Sequence, residues 1–196
     1  MADLTLLSLH APARREAGER GSSTEERTGI HAWERKPPTR LREPGQAERR
    51  EVAYSRRGTV TLSAHFDVAL GTVVPPAMGP TRPEEDFVNH RSRPVASNPE
   101  VTRWHCVAEN LHMHQAEGLV RLGAKHDGIA EDLGSQEQRG MLKAMAPRAA
   151  FLSDPPQTLV FHDTPKPASW MHQIELWFRI VVRKFLKRAS CTSGEA

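Results

Sequence analysis

Cysteine is scarce in this sequence: Cys106 and Cys191 are the only two in 196 residues, and no CxxC spacing occurs. That scarcity argues against a disulfide framework and points to a reducing, cytoplasmic compartment. Aromatic residues make up 6% of the chain, with a single tyrosine. No stretch approaches the ~18 consecutive apolar residues that span a bilayer, so no membrane partner is expected. The opening MADLTLLSLHAPARR has an apolar run with no basic residue ahead of it, which does not read as a secretory signal. Internal repeats, low-complexity tracts and motifs for a serine or cysteine nucleophile are also missing.

What the sequence does contain is enough for one domain with a core of its own. Hydrophobic residues make up 38% and charged residues 26% of the chain, and 15 prolines with 13 glycines imply long connections. The net charge of +3 is mild but uneven. From Glu34 to Arg57 there are eight Lys/Arg against four Asp/Glu, and from Met171 to Arg188 five against Glu175 alone. Basic clusters beside a near-neutral bulk suit a polyanion, nucleic acid first. Solvated surface faces would read the same way.

Residues 1–18 read as a short helical segment, and Gly18 to Ile30 as a short strand poor in apolar residues. Residues 34–57 read as a basic, Pro-containing loop. In Gly58 to Asp67, Val60, Leu62, Ala64 and Phe66 alternate with polar neighbours, the period of a strand with one buried face. Gly71 to Val74 pairs with it as a hairpin that Pro75-Pro76 should end. A helix is expected from Thr81, a strand over Val101 to Ala108 ending at Glu109, and a helix over 113–126. A mixed insertion follows over 128–156, then a short strand at Thr158 to Phe161. The last element is the clearest. Ser169 is placed to cap a helix in which Trp170, Ile174, Trp177, Phe178, Val181 and Phe185 recur at steps of three and four.

Several segments taken together are distinctive: TGIHAWERKPPT, GPTRPEEDFVNH, VAENLHMHQAEGLVRL and, above all, TPKPASWMHQIELWFRIVVRKFLKRAS. They resemble DDE-type transposases of bacterial insertion sequences, in the mariner-like superfamily, over about Glu19 to Ser193. The last segment is the most specific, because Trp-x4-Glu-x-Trp-Phe on a basic helix is unusual. The resemblance implies a ribonuclease H-like α/β fold, a mixed sheet flanked by helices. It divides the chain into a 1–18 helical remnant, a 19–193 catalytic domain and a 194–196 tail. It also implies a catalytic and metal-binding triad of two aspartates and one glutamate. The matching positions here hold Glu25, within Ser23-Thr24-Glu25-Glu26, then Glu109, within Glu109-Asn110-Leu111, and Glu175. Both aspartate positions thus carry glutamate. His112, Met113, Pro167 and His172 also depart from the usual Asn, Thr, His and Asn.

The implied chemistry is in-line displacement at phosphorus, assisted by a pair of Mg²⁺ (or Mn²⁺) ions on carboxylates. DNA is the implied partner, with Arg179, Arg183 and Lys187 as its phosphate contacts, a nucleoid location, and room for a homodimer. With only about 20 residues ahead of the core, the N-terminal helix-turn-helix of such transposases is expected to be missing. Three outcomes stay open: a metal-dependent transposase domain with impaired chemistry, a non-catalytic remnant that binds nucleic acid, or an unstable pseudogene product with no selected function. Glu175 lies at the rim of the apolar stripe, where it also suits an ordinary i,i+4 pair with Arg179. Glu25 has nothing local to set it apart from Glu26. His105, Cys106, His112 and His114 match no common zinc module. Asp67, at a strand end, reads as a turn former.

Overall fold

The computed structural model describes residues 2–35, 44, 54–79, 84–109, 116–164 and 172–186, with backbone alone at positions 2, 3, 35, 75, 84–87 and 109. Three long strands, β1 (Glu19–Arg35), β2 (Tyr54–Asp67) and β3 (Thr72–Gly79), form an antiparallel meander. Two shorter strands, β4 (Arg103–Glu109) and a later one at Leu159–Thr164, run parallel to β1. Between those two lie a small hairpin, β5 (Gly134–Ser135) and β6 (Arg139–Gly140), so the later strand is β7. The five-stranded sheet has the order β3-β2-β1-β4-β7. Parallel neighbours need crossovers, and helices supply them. The helix α3 (Glu84–Ser97) leads into β4, while α4 (Glu117–His126) and α5 (Met145–Leu152) lie between β4 and β7. Two short helices, α1 (Ala2–Leu9) and α2 (Ala11–Glu16), precede β1, and α6 (Gln173–Val181) follows β7. This is the expected mixed α/β sheet flanked by helices, ribonuclease H-like in order.

Several boundaries differ from expectation, each for a physical reason. The first strand is not short: it runs 17 residues because β2 pairs along its length, from Ser22↔Asp67 to Arg35↔Tyr54. Both strands therefore take residues from the ends of the expected 34–57 loop, most of which lies outside the described residues. Pro75-Pro76 does not end β3, which continues to Gly79. As the outermost strand it can carry prolines, and its register against β2 shifts between Ser63 and His65, opposite them. Asp67 is the turn former expected: its Oδ1 accepts the amides of Ala69 at 3.0 Å and Leu70 at 2.9 Å.

The sheet buries a core on each face. On one, Trp104, Leu159 and Phe161 pack with Val95 of α3, Leu119 and Val120 of α4, and Leu152 of α5. On the other, Leu62 and Ala64 of β2 meet Ile174 and Phe178 of α6, while Leu4 and Leu7 of α1 cover Val107. Ile174 and Phe178 are fully buried, Trp177 and Val181 only partly, and Phe185 is 65% exposed. The apolar stripe thus fails at its end. Val182–Leu186 form a π-helical turn, whose wider spacing rotates Phe185 away from the sheet. Ser169 and Trp170 lie outside the described residues. Truncating Phe178 to alanine should cost about 3–5 kcal/mol, since it closes the contact between α6 and β2. Denaturant titration would measure it, and a loss under about 1 kcal/mol would contradict this packing.

Candidate active site

The polar run Ser22-Ser23-Thr24 stands at the centre of the sheet, where apolar residues would be usual, and all three side chains are buried. Their partners come from far along the chain. His65 Nε2 lies 3.0 Å from the His90 carbonyl and must donate to it, which leaves Nδ1 to accept. The Thr24 hydroxyl donates to that Nδ1 at 2.7 Å, and Ser22 Oγ can donate in turn to Thr24 Oγ1 at 3.3 Å. The His65 and His90 rings stack at 4.3 Å. Burial first, then the Arg91 and His90 charges, push His65 well below the usual imidazole range. Facing the opposite side, Ser23 Oγ accepts the Ile174 amide at 3.2 Å. A serine of β1 thereby caps the start of α6.

Strand alternation then separates the two adjacent glutamates. Glu26 points with Thr24 and accepts from the Ser63 hydroxyl at 3.1 Å. Glu25 points with Ser23 toward α6, and its Oε2 lies 3.5 Å from His172 Nδ1. The other oxygen, Oε1, turns back and accepts the Glu26 amide at 2.9 Å. His172 precedes α6 in the N-cap position, is fully buried, and has its Nε2 3.2 Å from the Val107 carbonyl. Burial lowers its pKa to about 4, with the Arg91 charge acting in the same sense and the Val107 and Thr24 carbonyls opposing. The ring is neutral at neutral pH.

Parallel pairing sets the second acid position beside the first. Thr24 pairs with Ala108, so residue 109 follows in register beside Glu25, and Glu109 itself pairs with Thr164. Glu175, half-buried, lies in the first turn of α6, and its amide donates to the His172 carbonyl at 3.0 Å. The positive end of the helix favours a carboxylate there. The backbones of the three sequence-selected acids therefore stand where the parallel pairing of β1 with β4 ends, at the last residue of β4, and at the start of α6. This is the end of a parallel sheet where α/β proteins carry their sites. Behind them lies a buried cation. Burial lowers the Arg91 pKa to about 10, while Cys106, Glu25 and Glu26 act to raise it. Burial also pushes the Cys106 thiol up to about 11, which removes it as a thiolate ligand.

Among the described side chains, which exclude that of residue 109, no group of three or more His, Cys, Asp or Glu is placed to hold a metal ion. His105 is engaged elsewhere, with its Nε2 3.2 Å from Glu19 and its Nδ1 3.0 Å from His162, while His112 and His114 lie outside the described residues. Arg179 and Arg183 are exposed along α6 and its π turn, and Lys187 lies outside the described residues. Sequence reasoning noted His172 only as a departure and did not connect it with Glu25. Its place three residues before Glu175 was the available signal.

A ribonuclease H-like sheet with acids at this end defines the class, that of nuclease-type domains. Residues 27–196 match the family model described as DDE superfamily endonuclease, and the chain belongs to that family. Glu109 and Glu175 fall within the matched span, and Glu25 lies two residues before it. Domains of this family act on DNA and generally use divalent metal ions. No curated protein matches the chain. Among the described residues, no helix is long and apolar enough to cross a membrane.

Proposed function

We propose that this chain is a transposase catalytic domain for DNA transposition, of insertion-sequence type, with impaired chemistry. Its domain spans residues 19–193, since β1 begins at Glu19 and carries the first acid. Glu25, Glu109 and Glu175 hold Mg²⁺ (or Mn²⁺), weakly. The ions, when bound, activate the attacking oxygen and stabilise the leaving one. The chain's own contribution is to converge three carboxylates from β1, β4 and α6, and to lay phosphates along Arg179, Arg183 and Lys187. The observation that carries the impaired reading is the Glu25 carboxylate. One oxygen is spent on the Glu26 amide, as a glutamate arm too long for an aspartate position would do. The test is plasmid nicking in Mn²⁺ beside calorimetry: weak metal binding with no detectable nicking is expected. Robust nicking by the unmodified chain would overturn the impairment, and no metal binding at all would overturn the site.

A second reading, a non-catalytic remnant that binds nucleic acid, draws on the exposed arginines of α6 and on the same folded-back carboxylate. Both readings predict the same DNA behaviour. Arginines on a helix face meet phosphates, which position a protein without reading sequence. Binding should be weak, sequence-independent and steeply salt-dependent, with Arg179→Ala plus Arg183→Ala lowering the slope of log K against log salt by about 2. Fluorescence anisotropy measures this, and a strong preference for one sequence at physiological salt would contradict it. Location at the nucleoid and pairing into a homodimer belong to the same proposal.

A further inference from the structure

We propose that the cleft between the β1–β2 ribbon and the π turn after α6 is a nucleobase site, in which one unpaired base of a DNA strand stacks on Trp33 and Tyr54. This rests on the DNA-binding reading above and adds base contacts to the phosphate contacts proposed there.

The cleft has a volume of about 450 Å³, walled by Arg27, His31, Trp33 and Tyr54 of the ribbon and by Val182 and Leu186 of the turn. Sites for small ligands span ~300–1,000 Å³, so a nucleotide is within its capacity. The ribbon is irregular at this wall: its register shifts between Arg27 and Ile30 and again between His31 and Trp33. Such bulges bend a strand and re-aim its side chains. Trp33 meets His31 at 5.5 Å and Tyr54 at 6.2 Å between ring centroids, both edge to face. Neither contact is a stacked one, and Trp33 and Tyr54 stay 43% and 47% exposed. A cross-strand aromatic pair also stabilises a ribbon. That role alone does not call for an open cleft with two aliphatic side chains on its other wall.

Charge selects the occupant. Among the described residues, no carboxylate forms an ion pair with Arg27 or Arg56, while Glu34 is taken by Arg57. Arg56 donates to the Thr59 hydroxyl, a neutral partner. Arg183 and Lys184 are exposed on the turn that carries Val182 and Leu186. Open aromatic rings rimmed by uncancelled cations suit a polyanion that carries flat rings. A purely apolar partner would strip water from those cations and give nothing back. Position agrees. Residues 25–27 pair with 62–64 without a shift, so Arg27 shares the α6-facing side of β1 with Glu25. A DNA strand that reaches Glu25 therefore has Arg27 on its way to the cleft. Bases inside a duplex are stacked and out of reach, so the site takes a base only where the strand is open. Stacking accepts every base, in keeping with sequence-independent binding.

The full chain is titrated by fluorescence anisotropy with labelled oligothymidylate and with an abasic strand of equal length and charge. Oligothymidylate should bind at least ~10-fold tighter than the abasic strand. In Trp33→Ala with Tyr54→Ala the two should come within about 2-fold, at an unchanged salt slope, because phosphates set that slope. Thermal melts check the fold of the variant, and a second readout needs only the unmodified chain labelled with fluorotryptophan. Its Trp33 signal in ¹⁹F NMR, assigned through Trp33→Phe, should shift with oligothymidylate and stay in place with the abasic strand. Equal, salt-dependent affinity for the two strands would overturn the inference and leave the phosphate reading standing. A Trp33 signal already shielded from solvent in the free chain would put a segment of this chain in the cleft, and shielding that grows with chain concentration a second copy; either result overturns the site. Binding of neither strand would overturn both readings.

Discussion

A Glu25→Asp, Glu109→Asp double variant is expected to bind Mg²⁺ about tenfold or more tightly than the unmodified chain, and to nick DNA where that chain does not. The argument is one of reach. Glutamate adds one C–C bond, about 1.5 Å, to the arm of an aspartate, while catalytic constellations tolerate ~0.5 Å. The arm must fold back or displace its ion. At Glu25 it folds back, with Oε1 on the Glu26 amide at 2.9 Å. Positioning errors near 1 Å cost on the order of 10²-fold in rate, and two on one metal pair need not act independently. Each single variant should therefore recover less than its share of the double. Calorimetry with Mg²⁺ and plasmid nicking with Mn²⁺ measure the two effects. Failure of the double variant to gain metal affinity would rule out arm length as the cause of the proposed impairment.

Acid should destabilise this fold well before ordinary carboxylates are protonated. His90 and His172 are buried, and burial, reinforced by the Arg91 charge, lowers the pKa of each to about 4. His65 lies well below its usual range for the same reasons, and burial lowers His105 as well. In the unfolded chain these rings titrate near ~6.5. Between about pH 6.5 and about 4 the unfolded state therefore binds more protons, and stability falls as pH falls. Above that window the stability is fully present, and below about 4 the His90 and His172 contributions are exhausted. The combined loss is on the order of several kcal/mol, a large part of the ~5–15 kcal/mol that holds a typical domain. Glu19 adds to it further down: burial would raise its carboxyl, but hydrogen bonds from Arg14 and His105 lower it on balance. Denaturant midpoints followed from neutral pH to about pH 4 should drop steeply. His90→Phe, which keeps a ring against His65, should flatten that drop. A midpoint that does not move across the window would show these rings are not held neutral.

Much of this arrangement could be read along the chain. The period-two pattern of Val60, Leu62, Ala64 and Phe66 fell within β2, the strand ending at Glu109 formed as β4, and the short strand expected at Thr158 to Phe161 formed as β7, running on to Thr164. Ile174 and Phe178 are buried as their helical spacing required. The basic stripe of Arg179 and Arg183 was also visible. These features are local. Alternation and helical period depend on neighbours within a few residues, so composition and spacing alone determine them.

What only the tertiary structure decided depends on partners far away in sequence. Ser22-Ser23-Thr24 make a poor central strand by composition, yet they hold one because His65 and the Ile174 amide satisfy their hydroxyls. Phe185 continues the apolar spacing but is exposed, because a π turn shifts the helix's phase before it. Glu25 and Glu26 are the same residue side by side, and no local pattern tells them apart. Pairing with β2 and β4 fixes the register, so one faces Ser63 and the other faces His172, 147 positions on from Glu25. A one-residue slip would exchange them, so which of the two faces α6 is a property of the sheet and not of the segment that carries it.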